Sequence, residues 1–390
     1  MKGVVVYDDV KHYGETYAES LRRLKVVTAE FDVECMSHED FTKEMEELER
    51  RQMRARRKKT MVESPCRLDK TSVFVIDFDL LKPSDPKIFL TGEVVAYLVR
   101  CFSECSYIMG LNQYGHNAFD LTLRGHPESY ADLNVGSRQL DNAGLWGGGT
   151  RGFRPWYWPQ VPRYLESFQD RMNDVKKHVD DPICEVLGIK DVVKLLPRSV
   201  SEFIGGTPSR TTFRDFVARS GNGLRGRDKH ADVDTIAKIG AARVSKWLER
   251  LVLPGQDILV DAPHLASRYP SLLEGDHSRL DTWNKTTDLG TFESLNLDHK
   301  AIEEFRFKKD MWLSRPAWFW QRLSECRKIK EVSEPWKREA TKYVFCEDSS
   351  SFHERKYCRE FVAESDSPYV RRFLRYFKDV DYRPKVRLFQ

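Results

Sequence analysis

The chain lacks several features that would place it in a membrane or secreted class. It has no run of 18 apolar residues, and its first residues lead straight into a strand pattern instead of a signal peptide. Its eight cysteines are scattered without paired spacing, which is typical of reduced thiols in a cytoplasm. We therefore predict a cytoplasmic protein that has no membrane partner.

A strong charge of one sign is also missing. The 64 basic and 60 acidic residues leave a net charge of +4, which is too small an excess to require a nucleic-acid partner. With 390 residues, of which 40% are hydrophobic and 32% charged, the chain has the composition of a globular protein with roughly two or three domains. Basic residues are concentrated locally, at 50–59 and again at 371–387.

Two apolar runs that end abruptly on carboxylates are the most informative feature present. Val73–Ile76 is followed by Asp77, and Val4–Tyr7 is followed by Asp8 and Asp9. Such runs are typical of buried parallel strands, whose carboxyl ends form the ligand-binding edge of an open α/β sheet. Carboxylates delivered to one edge by two strands predict a divalent-cation site, with Mg²⁺ as the expected ion and Asp8, Asp9 and Asp77 as its ligands.

Strand and helix patterns alternate through the first third of the chain. We predict strands at 4–7, 31–36, 73–78, 107–111 and 131–135, and helices at 14–24, 38–59 and 92–104. This alternation predicts βαβ units, a parallel sheet and right-handed crossovers. The stretch 118–124 has the pattern of an extra strand instead of another helix.

Residues 1–145 resemble the receiver domain of bacterial response regulators, a flavodoxin-like α/β fold with strand order 2-1-3-4-5. The resemblance rests on the acidic pair after the first strand, on Asp77 with Pro83 downstream, and on 107–112. It implies that the acidic pair binds Mg²⁺ and that Asp77 accepts a phosphoryl group from a kinase partner. The family's hydroxyl residue is replaced by Asn112, and Asn134 falls near the place of its lysine, so a degenerate receiver that docks a partner is also expected.

The same strand supports two other interpretations. Asp77-x-Asp79 resembles the acidic pair of Mg²⁺-dependent phosphohydrolases and some nucleases, and it predicts a phosphotransfer or nucleic-acid-processing enzyme that uses Asp8, Asp9, Asp77 and Asp79. Leu80-Leu81 departs from the residues that usually follow such a pair in the phosphatases. In the third interpretation these carboxylates only cap helices and solvate the sheet edge. An enzyme is therefore not the favoured class.

The rest of the chain is predicted to be a mainly α-helical region with a few strands. A Gly/Pro/Trp linker at 146–159 precedes it, and the region 160–390 is divisible into subdomains at about 160–260 and 261–390. A helix over 160–179 carries an apolar stripe that predicts either a core contact or a dimer interface, so an oligomer is one expectation. A helix is also predicted over 368–377.

Two basic segments are weak candidates for nucleic-acid contact, because cations interleaved with aromatic or glycine residues suit a phosphate backbone. Solvated surface is the competing interpretation for both segments. The candidate residues are Arg225, Arg227, Lys229, Arg371, Arg372 and Arg375. Cys346, His353 and Cys358 lack a fourth zinc ligand at metal spacing, and His264 is interpreted as structural.

Together these patterns predict a signalling or adaptor protein. Its receiver-like domain is expected to dock a protein partner, a kinase or an effector, or to sense phosphorylation. The C-terminal region would carry the output. The alternative is the Mg²⁺-dependent enzyme built on the four aspartates.

Overall fold

The computed structural model describes residues 2–58, 66–80, 91–112, 118–121, 129–149, 152–220, 232–287, 292–326, 342–362 and 371–383. None of the helices in these ranges combines the length and the hydropathy that crossing a membrane requires. Within the first part of the chain the elements are β1 Lys2–Tyr7, α1 Lys11–Arg22, α2 Lys25–Thr28, β2 Phe31–Cys35, α3 His38–Lys58, β3 Thr71–Asp77, α4 Gly92–Phe102, β4 Tyr107–Asn112, β5 Ala118–Asp120 and β6 Leu133–Gly136.

Five of these strands form a parallel sheet in the order β2-β1-β3-β4-β6. The central strands are apolar on both faces: Val4–Val6 of β1 and Val73–Ile76 of β3 are buried. Such continuous burial is expected of parallel strands that helices cover on both sides. The order is the one predicted from the sequence, and it is compatible with a flavodoxin-like fold. Since Tyr7 pairs with Ile76, the carboxyl ends of β1 and β3 lie side by side.

The second part of the chain begins with helices. They are α5 Val161–Lys177, α6 Ile183–Val186, α7 Arg198–Ser201, α8 Phe213–Ser220, α9 Val233–Trp247 and α10 Leu253–Gly255. A π-helical turn, Leu248–Val252, joins α9 to α10. Short elements follow, and the chain ends in strands: β7 Val260–Asp261, α11 Ala262–Arg268, α12 Leu280–Asn284, α13 His299–Ile302, β8 Ala317–Trp318, α14 Trp320–Ser324, β9 Tyr343–Cys346, β10 Ser351–Glu354, β11 Arg359–Val362, β12 Arg371–Leu374 and β13 Asp381–Arg383.

The helix predicted over 368–377 is wrong, because Arg371–Leu374 is strand β12. This strand pairs with β11 and β9 in a four-stranded sheet of order β10-β9-β12-β11. Arg372 and Leu374 are both buried, and Phe373 between them is only partly buried, which is the period-two pattern of a strand. The pattern was missed because an arginine occupies one of the inward positions.

The apolar stripe of α5 is part of the protein's own core. Val161, Phe168, Met172 and Val175 are buried, and α5 packs along α9. Of the two predicted roles, the core contact is therefore the one that the structure shows.

Helix α9 also connects the C-terminal part to the N-terminal sheet through two lysines. Lys238 Nζ donates to the backbone oxygen of Ser103 at 3.0 Å and to the Glu104 carboxylate at 2.8 Å. Lys246 Nζ donates to the backbone oxygens of Ser129 and Ala131. These contacts hold α9 against the loops on either side of β4.

Candidate metal centre

The structure brings together the three carboxylates that the sequence predicts as metal ligands. Asp8 and Asp9 follow β1 directly, and Asp77 is the last residue of β3. One carboxylate oxygen from each residue lies within 4.8 Å of the other two. Among the described residues this is the only cluster of three or more such groups, so no comparable cluster forms around Cys346, His353 and Cys358.

Burial and mutual repulsion perturb two of these carboxyl groups. Asp8 is 7% exposed and Asp77 is 3% exposed. Burial raises the pKa of Asp8 to about 6, with further contributions from the charges of Asp77 and Asp9, although the Val10 N–H donates to its carboxylate at 2.8 Å and opposes the shift. Burial likewise raises the pKa of Asp77 to about 6, and the Asp9 and Asp79 charges add to it. The two shifts therefore mark a buried concentration of negative charge.

Close backbone packing fixes the position of Asp77. Gly92 is the first residue of α4, and its N–H donates to the Phe78 oxygen at 3.2 Å. A Cβ atom on Gly92 would lie 2.5 Å from the Asp77 carbonyl oxygen and 2.7 Å from the Phe78 Cα. Only glycine lets α4 approach the end of β3 this closely, so the residue type at 92 helps to set where the Asp77 carboxylate stands.

The chemistry of the donors fits a hard divalent cation. All three side chains offer carboxylate oxygens, which are the ligands of Mg²⁺ and Ca²⁺. The raised pKa values of Asp8 and Asp77 show that keeping these groups ionised is costly, mainly because they are buried and also because neighbouring carboxylates repel them. Because a cation would offset that cost, Asp8, Asp9 and Asp77 could hold a metal ion.

Three other residues near this edge were singled out from the sequence. Strand β3 ends at Asp77, so side-chain alternation does not extend to Asp79, which lies outside the three-carboxylate group. Asn112 is exposed at the end of β4. Asn134 lies on β6 opposite Gly110, and its Oδ1 is buried without a hydrogen-bond partner.

The candidate nucleic-acid residues do not form a described surface. Arg225, Arg227, Lys229 and the side chain of Arg371 lie outside the described residues. Arg372 is 4% exposed, and its Nε lies 3.5 Å from the Glu347 carboxylate. Arg375 is exposed, and its Nη1 donates to the Tyr357 carbonyl at 2.8 Å.

His264 is buried and contacts two carboxylates. Only one of these two partners could be predicted from the sequence. His264 Nδ1 lies 2.6 Å from Asp261 Oδ1, and Nε2 lies 2.7 Å from Glu347 Oε1. Burial alone would lower the pKa of His264, but the two carboxylates more than offset it and raise the pKa above its usual value. Asp261 is close in sequence and also caps α11, whereas nothing in the sequence points to Glu347.

Comparison of the chain with protein-family models, with curated proteins and with solved structures finds no match. The class that the geometry defines is an α/β protein that has a carboxylate cluster at the carboxyl edge of a parallel sheet. This edge is therefore the feature of the protein from which a function can be inferred.

Proposed function

We propose that the protein is a signalling or adaptor protein whose N-terminal α/β domain works through a divalent-cation site. In this proposal Asp8, Asp9 and Asp77 hold the ion, Mg²⁺ in the first instance. The domain then either accepts a phosphoryl group on Asp77 or docks a protein partner, a kinase or an effector, at the same edge. The observation that carries the proposal is the mutual approach of the three carboxylates to within 4.8 Å.

Asp77 is the residue best suited to accept a phosphoryl group. It ends the central strand β3, it is the more buried of the two perturbed carboxyls, and the backbone N–H of Asp79 favours its ionised form. In the transfer, a carboxylate oxygen of Asp77 forms a bond to phosphorus while the bond from phosphorus to the donor's leaving group breaks. A bound divalent cation would supply charge neutralisation for the phosphoryl oxygens.

The contacts of α9 support a route from this domain to the C-terminal part. Lys238 and Lys246 attach α9 to the loops at 103–104 and 129–131, which flank β4. A change at the edge that moved β4 or β6 would therefore reach α9 directly. We assign the output of the proposed signalling function to the C-terminal part.

The test uses the full chain, acetyl phosphate and Mg²⁺, with the acyl phosphate detected as added mass that is lost at alkaline pH. We expect the wild type to bind Mg²⁺ and to be phosphorylated by acetyl phosphate, and we expect Asp77→Asn to abolish the phosphorylation. The control is Asp32→Asn, which removes an exposed carboxylate on β2 and should leave both unchanged. Mg²⁺ binding without phosphorylation would favour the alternative in which the domain docks a protein partner. Failure of the wild type to bind any divalent cation would refute the proposal.

The alternative is a Mg²⁺-dependent phosphotransfer or nucleic-acid-processing enzyme. It requires Asp79 to act beside Asp77, and Asp79 lies outside the three-carboxylate group. Metal-dependent turnover of a phosphoester that Asp79→Asn abolishes would establish this alternative instead.

A further inference from the structure

A cavity of about 220 Å³ lies between the N-terminal sheet and the C-terminal part of the chain. The ends of β4 and β6 contribute Asn112 and Asn134 to its lining. The segment before α5 contributes Tyr157 and Trp158, and the end of α9 with the π-helical turn contributes cations. The cavity therefore joins the carboxyl edge of the parallel sheet to an aromatic and basic surface, at a place where open α/β sheets bind ligands.

Two basic residues line this cavity without an ion-pair partner among the described residues: Lys246, which is buried, and Arg250, which is partly buried. Lys246 is bonded to backbone oxygens only, and burial lowers its pKa to about 7. Arg250 lies over the Tyr157 ring at 4.7 Å, and its Nη1 is buried without a hydrogen-bond partner. A buried guanidinium nitrogen that donates to no described residue is costly, and a negative group in the cavity beside Arg250 would offset part of that cost.

One acidic residue of the lining is already paired elsewhere. Asp132 forms an ion pair with Arg100 and accepts a hydrogen bond from the Ile108 N–H at 2.7 Å. Its charge opposes the effect of burial on the pKa of Lys246 but is outweighed by it. The second acidic residue of the lining is Asp120, on β5. Arg250 is the basic group through which the α9 side of the cavity would pair with an anion.

The backbone that carries Arg250 is itself unusual. Arg250 belongs to the π-helical turn Leu248–Val252, which interrupts the α-helical hydrogen bonding between α9 and α10. Such turns are rare, and they occur frequently at functional sites because the inserted residue redirects its neighbours. Here the turn holds Arg250 beside the Tyr157 ring and the cavity.

We propose that this cavity binds a small organic anion. Its carboxylate or phosphate group would pair with the Arg250 guanidinium, and its ring or apolar part would pack against Tyr157 and Trp158. The volume limits the ligand to a molecule of metabolite size. This inference is independent of the proposed cation site, because Asp8, Asp9 and Asp77 do not line the cavity.

Binding would be measured on the full chain in metal-free buffer, by calorimetry and by the shift in melting temperature. The probes are inorganic phosphate, benzoate and phenyl phosphate, which separate the anionic head from the ring. We expect the two ring-bearing anions to bind and Arg250→Gln to weaken binding about tenfold or more. Arg250→Lys, which keeps the charge, should retain part of the affinity. Preference for benzoate or for phenyl phosphate would identify the head group.

A matched control is Arg243→Gln on the same helix. Arg243 is buried over the Tyr130 ring at 4.9 Å and does not line the cavity, so its loss should lower the melting temperature and leave the affinity unchanged. Arg250→Gln should instead leave the melting temperature of the ligand-free protein unchanged or raised, because a partly buried charge that has no ion-pair partner among the described residues is removed.

The proposal would be overturned if Arg250→Gln lowered the ligand-free melting temperature as Arg243→Gln does, because Arg250 would then be structural. It would also be overturned if the wild type and Arg250→Gln bound the probes equally, or if no probe stabilised the wild type up to about 10 mM. Asp77→Asn should retain anion binding, so failure of the cation site and failure of this site are distinguishable.

Discussion

Replacing Asp77 by asparagine should stabilise the metal-free protein near pH 7. Asp8 and Asp77 each have a pKa raised from 3.8 to about 6. Because the folded-state pKa is above the unfolded one, the stability these groups contribute is fully present below about pH 4 and is lost as the pH rises through about 6. At neutral pH the two ionised carboxylates therefore destabilise the fold, and an amide at 77 removes part of that penalty.

The size of the effect follows from the shift. A rise from 3.8 to about 6 corresponds to about 3 kcal/mol for Asp77, at about 1.4 kcal/mol for each pKa unit. Asp77 is buried, but Asp9 beside it is partly exposed, so screening reduces this to about 1–2 kcal/mol. For a chain of 390 residues that unfolds as one unit, such a gain raises the melting temperature by about 1–3 °C.

The assay is thermal and urea unfolding, monitored by tryptophan fluorescence, with EDTA and then with Mg²⁺. In EDTA, Asp77→Asn should be more stable than the wild type at about pH 7.5 and closer to it at about pH 4.5, where Asp77 is largely protonated in the folded protein and its ionised form no longer destabilises the fold. With Mg²⁺ the order should reverse, since the variant loses a ligand. Asp32→Asn should show neither effect, and a variant less stable than the wild type in EDTA at the higher pH would refute the reasoning.

Three further predictions concern packing, protonation and oxidation. Gly92→Ala should destabilise the fold by about 1–3 kcal/mol and weaken Mg²⁺ binding in calorimetry, because the added Cβ would collide with the end of β3. The control is Gly149→Ala, whose added Cβ has no atom within 4 Å, and it should change neither quantity. His264→Gln should lower the free energy of unfolding more at about pH 6 than at about pH 9.5. The pKa of His264 is raised in the folded protein, so the stability that its protonated form contributes is lost as the pH rises through that pKa. Equal losses of stability at the two pH values would contradict this prediction. Cys346 and Cys358, whose sulfur atoms lie 3.2 Å apart, should form an intrachain disulfide with oxidised glutathione, and peptide mapping that finds both thiols still alkylated would contradict it.

The sheet and the carboxylate cluster were the parts that sequence could predict. Apolar runs such as Val73–Ile76 show a strand buried on both faces, and the residue at which the run stops marks the carboxyl edge. The order of the five parallel strands, which the resemblance to receiver domains implied, is the order that the structure has. The approach of Asp8, Asp9 and Asp77 follows from that order.

Features built from distant residues could not be predicted in the same way. Glu347 reaches His264 across 83 positions of the chain, and no local pattern marks the pair. Arg372 faces inward on β12, so the strand period was hidden by a charged residue and a helix was predicted instead. Arg250 lies in a π-helical turn, which changes the direction in which side chains point. A prediction that assumes a regular α-helical period does not reveal this change.

The pairing of β5 with β13 has a consequence for the order in which the protein can fold. β5 belongs to the first third of the chain and β13 to its last residues, yet the two strands are parallel neighbours, with Phe119 against Tyr382. During synthesis β5 emerges long before its partner, so an unpaired strand edge stays exposed to other chains for that time. Contacts of such high sequence separation slow folding, and the pairing of β5 can be completed only after β13 has been synthesised.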